Sequence, residues 1–315
     1  MMKQSLLRLF LSNLFYSRYP RRWSRGLSFA ILSVFGGCLL WNNNIIPHDI
    51  FNDLSLEKAT TFARASVSAG ETFEYTPGFP SRKTTDDASK ILRRKGYAAS
   101  YNATTLQPDW VAWRLTSGHC EGSAKRDGKE FTEDMSVPFP RADTYDYSRS
   151  GYDRGHMCPA ADNRWSHEAM EQTFLMTNIC PQNQELNRGD WNEIEQQCRI
   201  WAKEYGKIYI VCGPIFLRGH HKRIGKHRVP VPDAFFKVVL RLTPEARGIG
   251  FICRNTDDSH PKDFYVNSIH EVERVTGYIF FPKLDSETAA IVKSSSSLKD
   301  WRFTPTRYYR NSKSK

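Results

Sequence analysis

From Asp190 to Tyr205 the apolar residues Trp191, Ile194, Cys198 and Trp201 recur at steps of three and four, which predicts a helix with one buried stripe. Glu195 and Arg199 lie four apart on the border of that stripe, where the plain reading is a surface ion pair. A different rhythm runs from Lys207 to Cys212. Its nearly continuous apolar run, stopped by Gly213-Pro214, predicts a central strand. Ala234–Leu242 and Gly248–Cys253 predict two further strands, and the aromatic segment Asp109–Leu115 another. Ser268 followed by Glu271 is the pattern of a capping box, opening a helix that should end at Gly277. Residues 42–82 hold no period and are rich in Asn, Ser, Thr, Gly and Pro, so they read as a linker. One folded domain is expected over 83–307, with a basic tail over 308–315.

The N-terminus follows another logic. Arg18, Arg21, Arg22 and Arg25 precede an apolar run from Leu27 to Trp41, and the first acid of the chain is Asp49. Basic then apolar is the layout of a signal peptide or signal anchor over 1–41, placing the remainder outside the cytoplasm: secreted, periplasmic or membrane-anchored. Any membrane contact is expected through this segment alone, since a mean hydropathy of -0.56 excludes a polytopic membrane protein. A mitochondrial transit peptide is the alternative, disfavoured by the compact apolar block. The net charge of +11 resides in the leader and the C-terminal tail, and the stretch between them is formally neutral. Basicity is therefore no proof of nucleic-acid binding. Apart from Cys38 there are six cysteines, Cys120, Cys158, Cys180, Cys198, Cys212 and Cys253, an even number that permits disulfides in an exported protein. No Cys-x-x-Cys pair occurs, which argues against a zinc ribbon.

The chemistry concentrates in three segments: Gly151-Tyr-Asp-Arg-Gly-His-Met-Cys-Pro-Ala160, Thr177-Asn-Ile-Cys-Pro-Gln182 and Leu186-Asn-Arg-Gly-Asp-Trp191. They supply an imidazole, guanidinium groups and several carboxamides, with few carboxylates. That inventory suits Mg²⁺, which keeps most of its waters and takes other ligands from substrate phosphate. A neutral Asn ligand leaves the full charge of the ion facing the phosphate, and an imidazole can take a proton from water near pH 7. These segments resemble the DNA/RNA non-specific endonuclease family through the Asp153–His156 tetrapeptide, the Asn-Ile-x-Pro-Gln element and the downstream Asn187, Glu195 and Arg199.

The resemblance implies an α+β, ββα-metal nuclease fold, with a central antiparallel sheet flanked by helices. It implies that His156 is the general base, that Asn187 binds the metal (Mg²⁺, with Mn²⁺ as the alternative) and that Glu195 holds a metal-bound water. Arg154 would stabilise charge on the phosphate, and Arg199 would order the metal helix or contact phosphate. On the substrate side, Asn178 and Gln182 would organise the site and Asp153 would orient its neighbours. Arg126 is the candidate for a further upstream arginine. The expected activity is hydrolysis of DNA and RNA without sequence preference. A nucleic-acid-binding envelope protein and a small-nucleotide phosphodiesterase are the competing readings. Cys158 and Cys180 are expected to be structural, with a disulfide as one option, because thiolate is too soft for magnesium. His220, His221 and His227 lie among Arg218, Lys222, Arg223 and Arg228 with no neighbouring acid in sequence, and read as a solvated basic loop.

Overall fold

Seven antiparallel strands form the central sheet, in the order β12-β11-β10-β7-β4-β3-β2. In chain order these are β2 (Ser89–Arg93), β3 (Ala98–Asn102), β4 (Gln107–Thr116), β7 (Lys207–Ile215), β10 (Ala234–Arg241), β11 (Arg247–Arg254) and β12 (Val266–Asn267). The computed structural model describes residues 73–82, 89–217 and 219–303, all within one compact unit spanning Ala69–Lys315. The leader and its expected signal segment lie outside the described residues. Among the described residues no helix is long and apolar enough to cross a membrane.

The sheet is covered on both faces, which explains why its central strands read as unbroken apolar runs. Along β7, Ile208, Ile210 and Cys212 face one core; Tyr209 and Val211 face the other. Along β10, Phe235 and Val239 join the first core, while Phe236, Val238 and Leu240 join the second. Among helices, α1 is His167–Gln172, α2 is Gln184–Arg188 and α3 is Asp190–Tyr205; α4 is Ile269–Thr276 and α5 is Ser286–Ser294. The stripe of α3 predicted from sequence (Trp191, Ile194, Cys198, Trp201) is buried in the first core. Ile269 and Val272 of α4 and Val292 of α5 fill the second. The capping box of α4 forms in full: Glu271 N–H donates to Ser268 Oγ at 3.1 Å and Ser268 N–H to Glu271 Oε2 at 2.7 Å. Gly277 closes the helix at φ +73°.

Two expectations are corrected here. Residues 73–82, read as the end of a linker, belong to the folded unit. Tyr75 is buried against Tyr209 with ring centroids 5.5 Å apart, Phe79 stacks on Trp110 at 5.4 Å, and β1 (Ser81–Arg82) pairs with β13 (Tyr278–Ile279). Three aromatic side chains in a polar-looking segment, Phe73, Tyr75 and Phe79, were enough to anchor it, and no periodicity is needed for that. The second correction concerns cysteine. Cys120, Cys158, Cys180, Cys198, Cys212 and Cys253 are all free and buried, so they act as small apolar residues of the first core rather than as disulfides. Burial pushes each thiol well above its ordinary range, Cys198 and Cys212 to about 12.

A candidate phosphodiesterase site on a ββα unit

The tetrapeptide Asp153–His156 forms β5, which pairs antiparallel with β6 (Ile179–Gln182) in the register Asp153↔Gln182 and His156↔Ile179. The two strands are not a tight hairpin. Residues 157–178, including α1, intervene. The chain then turns into α2 and α3, giving a ββα unit. Gly155 is required between the strands, because a Cβ there would come within 2.3 Å of Gln182 Oε1.

Among the described residues, buried Nε2 of His156 has no hydrogen-bond partner. Aromatic rings hold the imidazole in place: Phe131 at 5.2 Å and Phe174, edge-on, at 5.0 Å. Burial lowers its pKa to about 3, with the nearby Arg126 charge adding to the effect. The imidazole is therefore neutral at pH 7. Arg126 packs over the same Phe174 ring at 5.9 Å, and Arg154 over Phe131 at 5.6 Å and Tyr147 at 5.8 Å. Arg154 also donates to the Thr144 carbonyl at 2.7 Å, while its buried Nε has no partner. Arg126, from far upstream, thus joins Arg154 and His156 on two phenylalanines that no sequence pattern singled out.

Asn187 lies within α2, so it is not a helix cap; the cap is Asn183, whose side chain accepts from Glu185 and Leu186 N–H. Asn187 Nδ2 donates to Asp153 Oδ2 at 3.1 Å, which turns its carbonyl oxygen away as an uncommitted ligand. Asp153 is held by Arg188 through both carboxylate oxygens, at 2.9 and 3.0 Å. It thus orients its neighbour Asn187. Asn178 is fully buried, donates to the Cys158 and Thr173 carbonyls and accepts from Cys158 N–H. It braces the backbone just after His156. Gln182 is fully buried behind Gly155 with both carboxamide atoms unpartnered.

Glu195 and Arg199 do not form the surface pair that their spacing suggests. Glu195 lies 3.9 Å from Nζ of Lys237, a fully buried lysine on β10 that packs over Trp191 at 4.2 Å. Burial raises Glu195 to about 6, while Lys237 and Arg199 pull the other way. Lys237 is itself held above its ordinary range by Glu195, despite burial, so both are charged at pH 7. Arg199 donates to buried Asp162 at 2.9 Å, and Asp162 also accepts from Trp113 Nε1 at 3.0 Å. The signal for Lys237 was present in sequence, as a lone cation inside the apolar run Ala234–Leu242.

The histidine loop also differs from expectation. His227 Nδ1 lies 2.9 Å from Asp146 Oδ2 and 3.9 Å from Asp143 Oδ2, and His221 lies 3.5 Å from Asp233. The two acids meeting His227 come from far upstream, out of reach of sequence adjacency. Asp143, Asp146 and His227 bring their ligand atoms within 4.8 Å of one another, compact enough for a cation. Their oxygens already accept from backbone N–H groups of residues 143, 145, 146 and 227, so the arrangement works as a clasp between two loops.

The chain is similar to known nucleases in sequence and fold. The DNA/RNA non-specific endonuclease family matches residues 76–287. The chain is 32% identical to mitochondrial endonuclease G of Bos taurus over 66% of this chain and 74% of that one. It is 36% identical to the mitochondrial nuclease EXOG of Mus musculus over 66% of this chain and 60% of that one, so it spans less than two thirds of the EXOG length. A nuclease of Nostoc is 32% identical, with 68% and 81% covered. A chain in the crystal structure of an EndoG/EndoGI complex superposes with TM-score 0.61 at 28% identity, covering 65% of this chain and 91% of that chain. The protein is thus a member of the DNA/RNA non-specific endonuclease family, an α+β enzyme with the ββα nuclease fold.

Proposed function

We propose that this chain is a metal-dependent endonuclease that hydrolyses phosphodiester bonds of both DNA and RNA with little regard to sequence. The observation that carries the reading is the uncommitted imidazole of His156, neutral at pH 7 and flanked by Arg126 and Arg154. A neutral ring nitrogen takes a proton from water as the oxygen attacks phosphorus. The guanidinium groups offset the negative charge that builds on the phosphoryl oxygens while the P–O bond to the leaving oxygen breaks. Every one of these groups addresses phosphate, and none faces base edges in a way that would impose a recognition sequence.

The residues fit a divalent cation. The Asn187 carboxamide is held through its nitrogen and presents its oxygen, while the carboxylate behind it is neutralised by Arg188. A single neutral oxygen ligand suits an ion that retains its waters, Mg²⁺ or Mn²⁺. When bound, such an ion supplies Lewis-acid stabilisation of the phosphate and the leaving oxygen. Glu195, kept ionised by Lys237, is the acid available to hold a water of that ion.

Asn187 variants test the metal assignment. Asn187→Ala should lose metal affinity and nearly all cleavage. Asn187→Asp should bind metal more tightly than wild type yet cleave more slowly, since the added charge weakens the pull of the ion on phosphate. Calorimetric titration with Mg²⁺ beside rates at saturating Mg²⁺ measures both; equal affinity in wild type and Asn187→Ala would move the ligand to another residue.

A further inference from the structure

We infer that the surface formed by residues 131–147 and the hairpin 223–230 is a binding track for single-stranded nucleic acid, on which unpaired bases stack against Phe139 and Tyr145. This rests on the nuclease reading above and specifies the form of substrate that the site receives. The three most exposed large apolar side chains among the described residues fall in this one segment: Met135 at 76%, Phe139 at 70% and Tyr145 at 78%. Singly scattered apolar side chains on a surface are ordinary, whereas several gathered on one segment and rimmed by polar groups mark an interaction surface.

Their position links them to the catalytic groups. The segment begins at Phe131, which packs on His156, and ends at Thr144 and Tyr147, both of which touch Arg154. The exposed rings lie on the loop between these two anchors, so a strand with its phosphate at Arg154 and His156 would pass them. The adjoining hairpin of β8 (Arg223–Ile224) and β9 (Val229–Pro230) supplies charge. Lys222, Arg223, Lys226 and Arg228 are all exposed, and residues 219–231 contain no acid. His227 fixes the hairpin to the aromatic segment through Asp146 and an edge contact with Phe139 at 5.6 Å. Gly225 permits that approach: at φ +66°, a Cβ would fall 2.2 Å from Asp146 Oδ1.

Aromatic faces beside a basic strip are the elements that bind single strands without reading sequence. A duplex keeps its base faces stacked on one another and offers these rings nothing except at ends or melted sites. A protein partner would also find exposed rings, but it would lie across the approach to Arg154 and would not need a strip of four cations. The track therefore predicts that unpaired strands bind better than duplex of the same sequence.

The test uses fluorescence anisotropy in chelator, so that binding is read without turnover. The probes are a single-stranded oligonucleotide, its duplex, and an abasic strand of equal length. Wild type should bind the single strand more tightly than the other two. Phe139→Ala/Tyr145→Ala should weaken single-strand binding about 30-fold, the size of two base–aromatic stacks at the weak end of their range. Abasic and duplex binding should change less than about threefold, and Phe139→Trp/Tyr145→Trp should restore the single-strand preference. Unchanged single-strand affinity in the alanine variant, or equal losses on all three probes, overturns the inference. If wild type binds single strands as expected yet cleaves nothing with metal present, the nuclease reading fails and the track stands.

Discussion

At the scale of the residue, the site depends on a histidine that is kept neutral. Neither a carboxylate nor a backbone carbonyl orients His156; two phenylalanines do, and burial lowers its pKa to about 3. The sign of the pH effect follows. The base is the unprotonated form, present above its folded pKa and lost only as pH falls through it. Protonation of His156 should therefore remove no activity between pH 7 and 5, where a histidine at its ordinary value would already be largely protonated. An acid limb near 6 is instead expected from Glu195, the group raised to about 6. A kcat/KM profile on one oligonucleotide separates the two: Glu195→Gln should flatten the limb near 6. Persistence of that limb in the variant would assign it to His156 and contradict the buried neutral base. Stability runs with the same proton. Between 6.5 and about 3 the unfolded chain takes up a proton that folded His156 refuses, so this group makes the fold less stable as pH drops through that window.

At the scale of the element, α3 shows what periodicity can and cannot reveal. Its apolar stripe was legible, because Trp191, Ile194, Cys198 and Trp201 obey the helical repeat and bury together. The partners of its charged border were not legible. Lys237 and Asp162 come from other parts of the chain, and spacing within one helix says nothing about them. The asymmetry has an energetic consequence. Lys237→Met takes from the largely buried Glu195 the cation that does most to offset its burial, which should cost about 3–5 kcal/mol of stability. Removing both charges with Lys237→Met/Glu195→Gln should cost clearly less. Urea denaturation of the three proteins checks this; equal losses in the single and double variants would mean that the pair is not coupled. The ββ portion of the site was legible through its two motifs, the Asp153–His156 tetrapeptide and the Asn-Ile-x-Pro-Gln element. Its strands are four residues each, too short for periodicity, and the brace made by Asn178 is visible only once Cys158 and Thr173 are brought beside it.

At the scale of the whole molecule, the strands predicted at 207–212, 234–242 and 248–253 all lie in one sheet, because both faces of β7, β10 and β11 are largely covered and their sequences are correspondingly apolar. Strands β2 and β3 escaped notice: Ser89–Arg93 and Ala98–Asn102 are short and mix a few apolar residues with small and polar ones, and they owe their conformation to pairing, β3 with β4 and β2 with β3. The cysteine count suggested cross-links where the fold holds six buried thiols. Reductant should therefore leave Tm within about 1 °C, and a thiol reagent should react with these six only after unfolding. A reductant-induced drop of more than about 5 °C would point to a disulfide. Export through the basic–apolar leader stands as a proposal on sequence grounds, and cell fractionation with protease accessibility checks it.

All three scales meet in the proposal that the ββα unit bearing Arg154, His156 and Asn187 cuts phosphodiesters by general-base catalysis. The most direct measurement incubates wild type and His156→Ala with supercoiled plasmid and with a structured RNA, in Mg²⁺ and in chelator. Wild type should degrade both nucleic acids in Mg²⁺ and neither in chelator. His156→Ala should bind both with unchanged affinity and cleave about 10²–10⁴ times more slowly. A variant that cuts at the wild-type rate, or a wild type indifferent to chelator, would contradict the account.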